Sequence, residues 1–143
     1  MYNINQVATM TGLSTRTIRS HIKQGFLDGE KIDGVWMFSE DALSQYFSHN
    51  AIRPSIEAKR HGIVYDFLAQ RKKIINKICM VMDFLVDEEE ANDISNYFCK
   101  AVSSYPEGSE LRFSFGYDTG YCRVILSGPE DAVKEIWDHY DLS

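Results

Sequence analysis

Three cations in one short segment carry the chemistry that this sequence offers most clearly. Arg16, Arg19 and Lys23 are spaced three and four residues apart, so in a helix they share one face. Guanidinium and ammonium groups there can neutralise phosphates, and arginine also reaches guanine edges. We interpret this face as binding nucleic acid rather than as a merely solvated cationic surface. Hydrogen-bonding candidates in the same segment are Ser14, Thr15, Thr17, Ser20 and His21.

The segment around these cations has the pattern of a short capped helix. Ser14 is an N-cap candidate, and Gly25 is a stop signal after the last cation. Leu13, Ile18 and Ile22 give the helix a buried face, so the cations point away from the core.

A second short helix is predicted directly before it. Ile4, Val7 and Ala8 follow the i, i+3, i+4 spacing of an apolar helix face. Asn3 or Asn5 could cap this helix, and Thr11-Gly12 would end it. The sequence therefore predicts two helices joined by a tight turn.

Charge is divided unevenly along the 143 residues, whose formal net charge is −6. Residues 1–73 contain ten Lys and Arg against seven Asp and Glu, a net +3; residues 74–143 contain five against fourteen, a net −9. No acidic residue precedes Asp28. This asymmetry favours an N-terminal part that faces nucleic acid and a C-terminal part that is acidic.

A β-hairpin is predicted after the cationic helix. Asp33-Gly34 lies between two short apolar-rich runs, as in a type I′ turn. Lys31 is a candidate contact to the DNA backbone from this hairpin, whereas Trp36 and Phe38 are interpreted as core rather than base-stacking residues. A third helix is expected to follow Ser39.

The first 48 residues contain a series of short motifs, namely Tyr2-Asn3-Ile4, Val7-Ala8, Thr11-Gly12-Leu13-Ser14, Thr17-Ile18-Arg19, Gly25-Phe26-Leu27, Gly34 and Phe38-Ser39-Glu40-Asp41-Ala42-Leu43. In their order and spacing these motifs resemble the winged helix-turn-helix of MerR-type regulators and the related excisionase-like domains. The resemblance implies a winged DNA-binding domain that works as a dimer on an inverted repeat, with Thr15, Arg16, Arg19 and Ser20 at positions where the family touches DNA. Trp36 and Met37 stand where the family usually has wing arginines, and the excisionase-like members are the better comparison.

A linker helix is predicted next, within residues 51–75. Pro54 suits a first helical turn, and a mostly apolar stripe runs from Ile56 to Ile75. This helix could pair two subunits or pack within its own subunit. The basic cluster at residues 71–73 would end it, where cations suit the helix dipole.

The remaining residues, 76–143, predict a small acidic α+β domain in the order β-α-β-β-α. The apolar run from Ile78 to Val86 fits a buried strand, although a helix is the alternative. A capped helix follows Asp87, then a half-exposed strand with Leu111, Phe113 and Phe115, a second strand over residues 121–127, and a last helix. This order is that of a ferredoxin-like plait without its final strand, and we expect a second subunit to cover the open edge.

Other functional classes find little support. Cys79, Cys99 and Cys122 include no CxxC pair and fit reduced thiols in a cytoplasmic protein. The histidines have no metal-ligand spacing, so neither a metal nor a cofactor is expected. Asp118-Thr119-Gly120 matches the aspartic-protease tripeptide but suits a hairpin turn, so no enzyme is predicted. No run of about 18 apolar residues or secretory signal occurs, so no membrane contact is expected.

The sequence thus predicts an α+β protein with a DNA-binding domain at residues 1–50, a linker or dimerisation helix at 51–75 and an acidic domain at 76–143. We expect a cytoplasmic, homodimeric, sequence-specific regulator of transcription that binds double-stranded DNA. The acidic domain is open to three roles: dimerisation, sensing of a small-molecule effector, or binding of a protein partner. An alternative function is a mobile-element or regulatory protein whose acidic domain inhibits a protein partner.

Overall fold

A computed structural model describes residues 1–142 and shows an α+β protein. Within these residues there are six helices and two small antiparallel sheets. The chain divides into two compact units, Met1–Arg60 and His61–Ser143. Each unit contains one of the sheets, and the helix α4 supplies residues to both units.

The first unit begins with the two short helices that the sequence predicts. Asn3 caps α1 reciprocally with Gln6, and Gly12 ends it in the left-handed conformation with φ 75°. Ser14 caps α2, whose helical residues end at Lys23 before Gly25, which has φ 85°. The elements of this unit are β1 (Tyr2–Asn3), α1 (Ile4–Thr11), α2 (Thr15–Lys23), β2 (Glu30–Ile32), β3 (Val35–Phe38), α3 (Glu40–Ser48) and the start of α4 (Arg53–Ala69).

The hairpin predicted at Asp33-Gly34 is present. β2 and β3 pair antiparallel with Ile32 opposite Val35. Asp33 and Gly34 have φ 52° and φ 79°, and a type I′ turn requires positive φ at both positions. The short strand β1 pairs with the other side of β3, with Tyr2 opposite Phe38. The hairpin is thus anchored to the beginning of α1.

The core of the first unit is built from residues of every helix and of the sheet. The largest fully buried side chains there include Tyr2, Met10, Ile18, Leu27, Phe38, Tyr46 and Ile52. Phe38 is therefore a core residue, as the sequence predicts. Burial of these side chains sets the orientation of α2, whose opposite face remains in solvent.

The linker helix is shorter than the predicted range of 51–75, because α4 ends at Ala69. Its last backbone hydrogen bond is donated by Gln70 N to Asp66 O. Residues 70–76 then lead to the second sheet, where Asn76 O accepts a hydrogen bond from Glu130 N. The basic cluster therefore lies beyond the helix, and Lys73 Nζ caps it by donating to Phe67 O at 2.8 Å.

The second unit has the predicted order β-α-β-β-α. The central strand of its sheet is β6, which pairs antiparallel with β4 on one side and β5 on the other. Thr119 and Gly120 form the turn between β5 and β6, as the sequence predicts. The elements are β4 (Lys77–Phe84), α5 (Glu88–Ser103), β5 (Arg112–Asp118), β6 (Tyr121–Pro129) and α6 (Glu130–Leu142).

Burial in the second sheet differs from the prediction in two strands. The sequence predicts a half-exposed β5, but Ser114, which lies on the face opposite α5, is only 1% exposed. Arg112 on this same face donates to Asp66 of α4 at 2.6 Å, so α4 reaches a surface that the sequence assigns to solvent. The sequence predicts a buried strand for β4, yet its residue Val81 is 53% exposed.

Candidate nucleic-acid interface

The helix α2 is held at its N-terminus by Ser14. The Ser14 hydroxyl oxygen accepts a hydrogen bond from Thr17 N at 3.1 Å and lies 3.0 Å from the Thr17 hydroxyl oxygen. The two hydroxyls thus form the cap, and Thr17 is half-buried. The remaining N–H groups of the first turn carry the positive end of the helix dipole, which suits an anion.

The three predicted cations lie together on the solvent face of α2. Arg16, Arg19 and Lys23 are exposed, whereas Ile18 between them is fully buried. Within residues 1–142 none of the three forms a salt bridge with a carboxylate. Their charge is therefore available to an external anion.

The smaller polar candidates on α2 are placed beside these cations. Ser20 is exposed and Thr15 is half-buried in the first turn. Both hydroxyls can donate or accept a hydrogen bond, which suits either a phosphate oxygen or a base edge. Together with Arg16 and Arg19 they form one polar surface.

His21 differs from the other candidates because it packs against α3. Its Nδ1 lies 2.7 Å from the Tyr46 hydroxyl oxygen, and its ring meets Phe26 edge-on at 5.9 Å between centroids. Burial lowers the pKa of His21 below its ordinary value, which favours the neutral ring. The geometry gives His21 a role in holding α2 against α3.

Lys31 is separated from the α2 cations in sequence and lies on the hairpin. Its Nζ is 5.3 Å from the centre of the Trp36 ring, and Trp36 stacks on Phe38 with an interplanar angle of 8°. Lys31 is the only cation among residues 28–41, which contain five acidic residues. On either side of the turn at Asp33-Gly34, Ile32 and Val35 are both exposed.

Lys59 of α4 is a cation that the sequence reasoning missed. A Cβ atom built on Gly12 would lie 3.4 Å from Lys59 Cβ, so the lysine stem crosses the turn between α1 and α2. Lys59 is exposed, and within the part of the chain that the structure describes it has no carboxylate partner. The fold brings Lys59 close to the start of α2 although the two are more than forty positions apart in the sequence. No local sequence pattern could therefore have indicated this lysine.

Two of the three thiols are held in the protonated form by burial. Burial raises the pKa of Cys99 to about 12 and that of Cys122 to about 11, so neither thiol is a ready nucleophile. All three cysteines are free. Among residues 1–142 no three His, Cys, Asp or Glu side chains are grouped to hold a metal ion. None of the described helices combines the length and apolar character needed to cross a membrane.

Comparison with known proteins agrees with this geometry. The family described as helix-turn-helix domain matches residues 1–51. No curated protein and no solved structure matched the chain. The matched range contains α1, the turn at Gly12, α2, the hairpin and α3. The family match supports the resemblance to excisionase-like domains that the sequence indicates. Residues 1–51 are a helix-turn-helix domain.

Proposed function

We propose that this protein is a sequence-specific, DNA-binding regulator of transcription that acts as a homodimer on an inverted repeat. The observation that carries the proposal is the exposed row of Arg16, Arg19 and Lys23, which no carboxylate of residues 1–142 neutralises. In a helix-turn-helix the second helix enters the major groove. The cationic face of α2 is the surface that would lie there.

Phosphate contacts would position the domain on the duplex. Lys23, Lys59 and the N-terminal N–H groups of α2 suit phosphate oxygens, because they offer charge or an oriented dipole. Arg16 and Arg19 can in addition form the two-pronged hydrogen bond to guanine that discriminates between base pairs. Ser20 and Thr15 would supply further hydrogen bonds beside them.

The hairpin would act as a wing that contributes little electrostatic affinity. Lys31 is its one cation, and two acidic residues, Glu30 and Asp33, lie within two positions of it. The exposed Ile32 and Val35 at the tip suit apolar contact with sugars better than ion pairs with phosphates. Affinity would therefore depend on α2 more than in winged proteins whose hairpin carries arginines.

The second unit would join two copies. We propose that it is a ferredoxin-like plait without its final strand, which is supported by the element order β-α-β-β-α and the strand order β4-β6-β5. The unit from His61 onward contains eight Lys and Arg against fifteen Asp and Glu. It cannot supply DNA affinity from net charge, so pairing of subunits is the role that completes the proposal.

A second candidate function rests on this same acidity. An acidic domain can occupy the nucleic-acid-binding surface of a protein partner, and the chain would then inhibit that partner. In both functions the protein works by binding, with no catalytic step or cofactor, and we place it in the cytoplasm. A small-molecule effector bound by the second unit would be compatible with the first function.

Selection of bound DNA from a random pool with the full chain tests the proposal. Enrichment of an inverted repeat is the expected result, and the distance between its half-sites would report the dimer geometry. Failure to enrich any sequence at low salt would contradict the proposal and would favour the inhibitor of a protein partner.

A further inference from the structure

The strand β4 has an open edge. In the order β4-β6-β5, no strand of residues 1–142 pairs with the outer side of β4. An open edge usually carries a proline, a bulge or a free charge that prevents pairing with another chain. β4 contains no proline, and all eight of its residues pair with β6 without interruption. The usual protection is therefore missing.

Exposed apolar side chains are concentrated on this strand and its flanks. Ile74 and Ile75 precede β4, Val81 lies within it, and Leu85 follows it at 88% exposed. Four large apolar side chains thus meet solvent within twelve residues. Such a concentration marks an interaction surface more often than scattered exposed residues do.

The charges of β4 do not protect the edge either. Lys77 and Asp83 are the only charged residues in the strand, and both are engaged within the chain. Lys77 Nζ lies 2.8 Å from a Glu110 carboxylate oxygen, and Arg123 donates two hydrogen bonds to Asp83 at 2.7 and 2.9 Å. The edge is therefore close to neutral, although the unit that contains it is strongly acidic.

We propose that β4 pairs antiparallel with β4 of a second copy of this chain, about a two-fold axis at Met80. This register places Lys77 opposite Asp83, so that neither residue meets a residue of like charge across the two strands. It also places Ile78 opposite Met82, with apolar side chains along the rest of the pair. The result is one continuous six-stranded sheet.

The same pattern identifies the occupant as a second copy. A two-fold contact uses the same surface on both subunits, so the surface must complement itself. β4 meets this condition because its one basic and one acidic residue lie at equal distances, three residues, on either side of Met80. The inference rests on the homodimer proposed above and specifies its interface, but it can be tested without DNA.

Sedimentation velocity of the full chain tests the location of the interface. We expect a dimer at about 50 µM, and Val81→Lys should raise the dimer dissociation constant at least about tenfold because two lysines then meet near the axis. Val35→Lys is the matched control, since Val35 is the same residue type and is 52% exposed on the hairpin. It should leave the dimer unchanged. Leu68→Lys tests pairing through α4 instead.

Three results of this experiment would overturn the inference. They are a monomeric wild type, a dimer unaffected by Val81→Lys, and a dimer dissociated by Val35→Lys or Leu68→Lys. Circular dichroism of each variant separates loss of the dimer from loss of the fold. If the dimer depends on Val81 but no DNA is selected, the interface stands and only the proposed function fails.

Disulfide formation tests the register. In the proposed pairing Val81 faces Cys79 of the second copy, so Val81→Cys should give a covalent dimer when diamide oxidises the two thiols to a disulfide. The added substitution Cys79→Ser should abolish this product. A covalent dimer that persists with Cys79→Ser would place the axis at residue 81 and overturn the register.

Discussion

Single cations in this chain differ in whether a carboxylate already neutralises them. Within the described residues, salt bridges engage several of them, among which are Arg53, Lys77, Arg112, Arg123 and Lys134. Arg16, Arg19 and Lys23 do not, and they lie on one helix face. A cation that meets a phosphate releases a counterion from DNA, whereas a paired cation must first lose its partner. The unpaired cations are therefore the ones that should govern DNA affinity.

Lys59 is expected to contact a DNA phosphate, and such a contact does not distinguish one base sequence from another. Lys59→Ala should weaken binding by a similar factor for every DNA sequence, because a lysine at the turn reaches phosphate and not a base edge. The plot of log affinity against log salt should become less steep by about 0.9. Titration of labelled duplexes at several salt concentrations measures both effects. Lys59→Arg is the control and should preserve the slope, whereas a change in the preferred sequence would contradict the assignment.

His21 provides a prediction about pH. Its pKa is lowered in the folded protein by burial, so the unfolded chain binds the proton more tightly. The stability that the neutral ring contributes is present above the unfolded pKa of about 6.5 and is lost as the pH falls through the lower folded pKa. Denaturant titration between pH 5 and 8 should therefore show that His21→Asn removes part of the acid-induced loss of stability. An identical pH dependence in the two proteins would refute this.

At the level of elements, the local signals proved reliable because they depend on neighbours in sequence. Asn3, Ser14 and Asp87 accept the backbone hydrogen bonds that begin α1, α2 and α5, and each is a polar residue that precedes an apolar helical pattern. The turn at Asp33-Gly34 likewise follows from the positive φ that these residues tolerate. Caps and turns of this kind could be predicted from the sequence alone.

Ser14 provides a prediction that separates the cap of α2 from its contact with DNA. Ser14→Ala should lower the free energy of unfolding by about 1 kcal/mol, because a backbone N–H loses its acceptor. Ser14→Asp should keep the stability, since aspartate caps well and suits the helix dipole. It should nevertheless weaken DNA binding, because a carboxylate would face phosphate. Denaturant titration and DNA titration of both variants measure the two effects, and full DNA affinity in Ser14→Asp would show that this end of α2 lies away from the duplex.

Features that depend on distant parts of the chain could not be predicted. The contact of His21 with Tyr46 and the approach of Lys59 to Gly12 join residues that are 25 and 47 positions apart. α4 ends at Ala69, although the apolar stripe continues to Ile75. Ser114 is buried although its neighbours alternate in the way that a half-exposed strand requires. Periodicity identifies elements and their faces but does not show which face another element covers.

At the level of the whole molecule, the proposal assigns DNA binding to the first unit and pairing of subunits to the second. The first has a helix-turn-helix with unneutralised cations, and the second is strongly acidic and has an open strand edge. A single helix of nine residues offers few contacts, and binding by two copies on one duplex multiplies them. Pairing through β4 would let the acidic unit contribute to affinity without touching DNA.

The central claim is that the cationic face of α2 binds DNA, and one comparison of affinities tests it most directly. The full chain, Arg16→Ala/Arg19→Ala and Lys100→Ala/Lys134→Ala would be titrated against the selected duplex and a scrambled one. The two double variants lose the same charge, but Lys100 and Lys134 lie on helices of the second unit. We predict that Arg16→Ala/Arg19→Ala loses the preference for the selected duplex while remaining folded, and that the control keeps it. Equal binding by both double variants would contradict the claim.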